Sequence, residues 1–179
     1  MMYEEILKFW FEEVSSQQHF QKDPAFDQMI IKRFAAIHQK ASRAELYNWR
    51  KNITGRLAEV IILDQFSRNM FRKKAASFAY DGMALILAQE AIATKQVQEL
   101  TIEQQAFLYM PFMHSESLVI HQTALELFSQ PGLEDYLAFE KKHQAIIARF
   151  GRYPHRNTIL NRQSTKAELE FLTQPGSSF

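Results

Sequence analysis

The sequence predicts an all-α protein of seven to nine helices. Apolar residues recur every three or four positions along most of the chain, which is the spacing of amphipathic helices. No segment shows the alternation of a β-strand, and five glycines with five prolines are too few for an all-β chain full of turns. Because no low-complexity linker divides the 179 residues, we expect one domain that spans residues 1–179.

Four helices are predicted in the first part of the chain. Apolar spacing marks a helix at 6–14. Asp23 followed by Pro24 starts a second helix, since Asp caps helix N-termini and Pro suits the first helical position. A short third helix is indicated at 46–49. The stretch GRLAEVIILDQFSRNMFR at 55–72 is apolar on most sides, so its helix should be buried.

The next helices also carry start and stop signals. Asp81 is predicted to cap the helix that follows it. Thr101 with Gln104 three residues later forms a capping-box pattern, and the helix that it starts should end or kink at Pro111. A further helix is expected at about 115–129.

Two helices complete the chain. The segment 133–150 has helical spacing, and Gly151 stands where a left-handed residue ends a helix. Thr165 with Glu168 forms a second capping-box pattern, which predicts the start of a short last helix.

Charge and composition exclude several kinds of protein. Lys and Arg number 21 and Asp and Glu number 20, so a net charge of +1 predicts no general attraction to nucleic acid or to anionic lipid. The absence of cysteine excludes disulfides, thiolate metal sites and cysteine nucleophiles. No apolar run approaches the roughly 18 residues that a membrane span needs. Glu4 and Glu5 stand where a signal peptide would carry basic residues. We expect a cytoplasmic protein without a cofactor, whose oligomeric state the sequence leaves open.

Polar residues interrupt the apolar helices in three places. The first cluster ends the buried helix and contains Asp64, Gln65, Arg68, Asn69 and Arg72. Asp64 and Arg68 are four residues apart, so they share a helix face and can pair. The pair is either structural alone or part of a site.

The second cluster lies in FLYMPFMHSES, residues 107–117. If the chain stays helical around Pro111, His114 and Glu116 point into or close to apolar packing. A buried glutamate is uncommon unless it is paired, so an arginine of another cluster is expected beside Glu116. His114 is a ligand, a base or a packed core imidazole. Three other histidines have polar neighbours and are interpreted as surface residues: His19, His38 and His143.

The third cluster is RFGRYPHRN, residues 149–157. A glycine and a proline bend the chain there, so that side chains and backbone N–H groups face one way. Guanidinium groups bind carboxylate or phosphate through two parallel hydrogen bonds. The arginines of this bend therefore belong either to an anion pocket or to an internal network in which Arg152 and Arg156 neutralise Asp64 and Glu116.

Common catalytic and metal motifs do not settle the choice. The G-x-S-x-G elbow, the P-loop, GxGxxG and HExxH are missing, as are the paired Glu-x-x-His motifs of carboxylate-bridged metal sites. Four residues could still ligate Mn, Fe or Zn if they converge: Asp64, His114, Glu116 and His155. Basic residues are not interleaved along one exposed element, so nucleic acid is not expected as a partner.

The three clusters also carry a family resemblance. LDQFSRNMFR, FLYMPFMHSES and RFGRYPHRN occur in this order, with ILKFWF near the start and PGSSF at the end. In these motifs the chain resembles the bacterial domain of unknown function 924 from Ile6 to Phe179. The resemblance implies a two-layer α-α superhelix of antiparallel helical hairpins, of the tetratricopeptide-like type but without the repeat sequence. It implies no activity and no catalytic residues.

Because the concave side of a helical superhelix often binds partners, we hypothesise that the three clusters converge on one pocket for a small phosphate or carboxylate anion. The protein would be a binding protein or an enzyme of unassigned reaction. The candidate ligand-binding residues are Arg68, Asn69, Arg152, Arg156 and Asn157. The candidate catalytic residues are His114 and His155 as proton donors or acceptors, with Asp64 and Glu116 orienting them.

A tetratricopeptide-like interaction module is the alternative function. Its groove would bind a peptide or partner protein, for example through a terminal carboxylate. That function predicts exposed aromatic residues such as Tyr109, Phe112 and Tyr153 along an open groove.

Overall fold

The computed structural model describes residues 2–178, and within them it contains helices and no strand. The α-helices are α1 Tyr3–Lys8, α2 Ser16–Phe20, α3 Pro24–Ser42, α4 Ile53–Ile61, α5 Ser67–Met70, α6 Asp81–Ala93, α7 Ile102–Met113, α8 Leu118–Phe128, α9 Glu134–Phe150 and α10 Lys166–Leu172. The all-α prediction is confirmed. The tetratricopeptide-like superhelix stays a prediction.

Contacts within the chain define two compact units. The first contains the residues up to Arg72 together with Ala76–Pro111. The second contains Lys73–Ala75 and the residues from Phe112 onward. The single domain expected over residues 1–179 stays a prediction.

Two of the predicted helix starts in the first unit are confirmed. The Asp23 carboxylate accepts the N–H groups of Ala25 at 2.8 Å and Phe26 at 3.3 Å, directly before Pro24. In the predicted capping box, Gln104 N–H donates to the Thr101 hydroxyl at 3.3 Å, and Thr101 N–H donates to the Gln104 side chain at 3.0 Å.

The prediction that Asp81 caps α6 is wrong by one residue. Tyr80 occupies the cap position, and Asp81 is the first residue of the helix. The Asp81 carboxylate is instead bound by the guanidinium of Arg68.

The core of the first unit is rich in aromatic side chains. Phe34 lies between Phe9 and Phe66, with ring centroids 4.7 Å and 4.9 Å away, and Trp10 packs edge-on against Phe107. Helix α4 packs against α1 and α6, while α3 packs against α5. This packing explains why the helix of α4 is apolar on most sides.

Two helices of the first unit contain a wider turn. Helix α1 continues into a π-helical turn at Phe9–Glu13, and α4 continues into another at Ile62–Phe66. All five residues of the second turn are buried. The turn leads directly into α5, which carries the arginine and asparagine of the first polar cluster.

The second unit contains α8 and α9, which pack against each other. Helix α9 ends at Phe150, and the φ of 68° at the following Gly151 is left-handed as predicted. The capping box of α10 is also confirmed, since Glu168 N–H donates to the Thr165 hydroxyl and Thr165 N–H donates to the Glu168 carboxylate.

The chain stays helical around Pro111, but the helix does not continue through His114 and Glu116. Helix α7 accommodates Pro111 but ends at Met113, and α8 begins only at Leu118. The carbonyl oxygens of His114 and Ser115 accept side-chain hydrogen bonds at 3.0 Å and 2.9 Å. Side chains thus supply the partners that a continuous helix would have supplied through its backbone.

Among the described residues, no helix combines the length and the apolar character that crossing a bilayer requires.

Candidate functional site

The polar residues at the end of α4 and in α5 are bound to one another within the first unit. One Arg68 nitrogen lies 2.9 Å from an Asp64 oxygen, which confirms the predicted pair four residues apart. The same guanidinium donates to both oxygens of Asp81 at 3.1 Å. Two carboxylates therefore already neutralise the arginine predicted to hold an anion.

The predicted ligand-binding residue Asn69 also has a protein partner. Its side-chain amide donates to Asp27 at 2.9 Å, and Arg72 donates to both oxygens of the same carboxylate. Asp27 lies on α3 and is buried. Asp27 was not predicted as a partner, although its place in the first turn of a capped helix marks it as an acidic residue beside an apolar stripe.

In the second unit, Glu116 is held between a guanidinium and the backbone. Arg162 donates to its two oxygens at 2.6 Å and 2.9 Å, and the backbone N–H of Tyr153 donates at 2.7 Å. Burial acts to raise the pKa of Glu116. The hydrogen bonds from Arg162 and Tyr153 and the charges of Arg156 and Arg162 outweigh it, so the pKa is lowered. Glu116 is therefore an anion at neutral pH with most of its hydrogen-bonding capacity used.

The expected arginine partner of Glu116 exists, but it is Arg162. The guanidinium of Arg156 lies over the ring of Tyr153, 4.6 Å from the centroid. Arg156 also donates to the His114 carbonyl oxygen at 3.0 Å. Arg156 acts on Glu116 through its charge. Asn157 accepts from Arg162 at 2.9 Å and donates to Ser164 at 3.0 Å.

A buried glutamate–histidine pair lies behind this bend. His121 and Glu140 are fully buried, and His121 Nδ1 lies 2.6 Å from Glu140 Oε1. His121 Nε2 must carry hydrogen, because it lies 2.9 Å from the carbonyl oxygen of Ser115. One further proton is then shared between Nδ1 and the carboxyl group, so the pair is neutral overall. Burial raises the pKa of Glu140 against the opposing effect of His121, which favours this sharing.

Tyr153 connects the pair to other imidazoles. Its hydroxyl donates to the Met113 carbonyl oxygen and lies 3.2 Å from His121 Nε2. Its ring contacts those of His143 and His155, with centroids 5.8 Å and 5.6 Å away. The second unit therefore surrounds one buried tyrosine with several titratable side chains.

The interpretation of His19, His38 and His143 as surface residues is wrong, because all three are buried. His143 Nδ1 donates to the Phe139 carbonyl oxygen at 2.8 Å. Burial lowers the pKa of His143 to about 3, and the nearby histidines His114, His121 and His155 add to the effect. Burial also lowers the pKa of His19 and of His38. His143 is therefore neutral in the folded protein.

Arg152 does not pair with the acids considered in the sequence analysis. Its guanidinium donates to both oxygens of Glu168, at 2.6 Å and 2.8 Å, and to the Gln163 carbonyl oxygen at 2.9 Å. The Arg152 hydrogen bond lowers the pKa of Glu168 to about 2, with help from the backbone N–H of Thr165. Glu168, predicted from the sequence only as part of a capping box, is thus also the carboxylate partner of Arg152.

An open depression of about 500 Å³ lies beside this ion pair. It is lined by Arg149, Phe150, Arg152, Thr165, Ala167 and Glu168. Arg149 is exposed, and its guanidinium lies over the ring of Phe150, 4.7 Å from the centroid. Within residues 2–178, no carboxylate pairs with Arg149.

The candidate residues belong to both units. Asp64, Arg68 and Asn69 are part of the first unit. The second unit contains His114, Glu116, Arg152, His155, Arg156 and Asn157. It connects Glu116, Asn157 and the His114 backbone through Arg162 and Arg156. Convergence of the two sets on one pocket stays a prediction.

Two alternatives from the sequence gain no support. In the described part of the chain, no group of three or more His, Asp or Glu residues is placed to hold a metal ion. The aromatic residues expected along an open peptide groove are buried: Tyr109, Phe112 and Tyr153.

Comparison with known proteins identifies a family for this chain. The family described as bacterial protein of unknown function (DUF924) matches residues 6–176. A solved structure of a protein of unknown function from Agrobacterium tumefaciens, ATU0120, is 38% identical, with a TM-score of 0.90 over 95% of this chain and 96% of that one. No curated protein matches the chain. The chain belongs to the bacterial DUF924 family of proteins of unknown function, as its three polar motifs predicted.

Proposed function

We propose that this is a cytoplasmic protein whose second unit binds a small anion, carboxylate or phosphate, in the depression beside Arg149 and Arg152. The observation that carries the proposal is the exposed guanidinium of Arg149, held over Phe150 and unmatched by any carboxylate of residues 2–178. Packing against an aromatic ring orders a guanidinium before its ligand arrives, and its fork of donors suits an oxyanion.

Arg152 adds a further donor to the same depression. Arg152 uses Nε and Nη2 for Glu168 and Gln163, so Nη1 has no hydrogen-bond partner within the described residues. The Thr165 hydroxyl accepts from Glu168 N–H and is itself hydrogen-bonded to the Glu168 carboxylate, so it belongs to the capping box. An anion in the depression could therefore accept hydrogen bonds from both arginines. Arg152 is one of the anion-binding residues expected from the sequence.

The histidines keep their proposed part in this function. His114 and His155 are partly exposed and remain the proposed proton donors or acceptors of an unassigned reaction. Arg68, Asn69, Arg156 and Asn157 have protein partners, so we propose that each stabilises the fold of its own unit rather than contacts the anion.

An NMR titration tests the proposal. Sodium acetate and sodium phosphate are added separately at constant ionic strength, and the amide shifts of 149–152 and 165–168 are followed. Saturable shifts are expected, with a dissociation constant on the order of 1 mM, a typical value for a few exposed charge-assisted contacts. Arg149→Gln should abolish them, whereas Lys141→Gln, which removes one positive charge from an exposed site on the same helix, should not. Equal titration of the wild type and Arg149→Gln would contradict the proposal.

A further inference from the structure

We infer that the ligand of this depression is a monocarboxylate with a flat apolar body, rather than a phosphate. The inference rests on the proposed function and names the chemical class of its ligand. Three properties of the lining support it: net charge, the position of apolar surface, and size.

The charges that line the depression favour a monoanion. Arg149 and Arg152 contribute two positive charges and Glu168 one negative charge, which leaves one positive charge. Glu168 stays ionised at neutral pH, because its pKa is about 2. A phosphate dianion would bring a second negative charge close to that carboxylate, whereas a carboxylate would be neutralised by Arg149 alone.

Apolar surface lies next to the guanidinium that would bind the carboxylate. The Arg149 guanidinium is 4.7 Å from the ring centroid of Phe150 and 5.8 Å from that of Phe171, and the two rings are 5.1 Å apart. A carboxylate bound by the guanidinium fork lies in the guanidinium plane. Phe150 and Ala167 line the same depression, so apolar surface is available close to the guanidinium that would hold the carboxylate. A fully hydrated phosphate would gain nothing from this surface.

The volume fits a small organic acid. About 500 Å³ lies in the lower half of the range found for ligand pockets, roughly 300–1,000 Å³. Because the depression is open, a ligand would leave part of its surface in water. We therefore expect modest affinity that depends on the apolar body as well as on the charge.

Benzoate, acetate, inorganic phosphate and benzamide are the probes that test the inference. Each is titrated at constant ionic strength into the wild type, Arg149→Gln and Phe150→Leu, with amide NMR shifts as the readout. Benzoate should bind at least about tenfold more tightly than acetate, since burying about 60 Å² of ring corresponds to that factor. It should also bind more tightly than phosphate. Benzamide has the same ring without the charge and should not bind detectably.

The variants separate the two hypotheses. Arg149→Gln should abolish the benzoate shifts, and Phe150→Leu should weaken benzoate while leaving acetate nearly unchanged. If acetate or phosphate depends on Arg149 but benzoate binds no more tightly than either, the inferred ligand class is wrong and the anion site survives. If no probe depends on Arg149, both the inference and the proposed function fail. Equal binding of benzamide and benzoate would also overturn the inference, whether or not Phe150→Leu folds.

Discussion

Replacing His143 with glutamine should reduce the acid sensitivity of the protein. His143 is buried on α9, and its pKa falls from 6.5 to about 3 because burial disfavours the charged imidazole. The unfolded chain therefore binds one more proton than the folded protein between these two pH values. Stability from this group is fully present above pH 6.5 and is lost as the pH falls toward 3. Glutamine does not titrate, so His143→Gln removes this loss.

The size of the effect follows from the two pKa values. Between the two pKa values, each pH unit lowers the free energy of unfolding by about 1.4 kcal/mol. The contribution of His143 to that free energy therefore falls by about 2.5 kcal/mol between pH 7 and pH 4.5. His114, His121 and His155 act on His143 and are present in both proteins. What these three residues contribute to stability is therefore common to both proteins and largely cancels when the two stability curves are subtracted.

Urea unfolding followed by circular dichroism at half-unit pH steps measures the difference. Loss of packing should make the variant less stable at pH 7, but its stability should fall by about 2.5 kcal/mol less than that of the wild type on going to pH 4.5. Lys141 is exposed on the same helix, so the stability of the control variant Lys141→Gln should depend on pH as that of the wild type does. Parallel curves for His143→Gln and the wild type would refute the reasoning, since His143 would then titrate alike in the folded and unfolded chain.

Two further predictions concern the first unit, and both are checked by urea unfolding at pH 7. Gly55→Ala should cost roughly 3 kcal/mol or more, because a Cβ there would lie 2.1 Å from the Trp49 carbonyl oxygen, while Gly82→Ala meets open space and should be nearly neutral. Glu59→Gln should cost about 2–3 kcal/mol, since the fully buried carboxylate accepts two hydrogen bonds of 2.7 Å from a partly solvated Arg50. A Gly55→Ala protein as stable as Gly82→Ala, or a Glu59→Gln protein as stable as the wild type, would contradict these accounts.

Local signals predicted the helix boundaries well because capping is decided within a few residues. Asp23, Thr101, Thr165 and Gly151 act as the sequence indicated, since each satisfies backbone groups of its own helix end. Asp81 shows the limit of this reasoning. An aspartate before a helix is also available to an arginine from elsewhere in the fold, and Arg68 binds it.

The ion-pair partners could not be predicted, because they depend on which helices pack together. The sequence marked Glu116 as needing an arginine, yet four arginines follow within residues 149–162 and their distances along the chain do not distinguish them; Arg162 is the one in contact. The burial of His143 was open to prediction from spacing. It lies three and four residues before Ile146 and Ile147, which face the core of the second unit. Polar sequence neighbours outweighed that spacing in the sequence analysis.

The π-helical turn at Ile62–Phe66 makes the position of α5 sensitive to the number of residues in this segment. A π turn holds one residue more than an α turn, and each residue of an α-helix turns the chain by roughly 100°. Deleting a single residue from this turn would swing Arg68 and Asn69 away from the carboxylates of Asp81 and Asp27. Relatives that are one residue shorter at this point should therefore have lost those acidic partners as well, so insertions, deletions and acidic positions should change together.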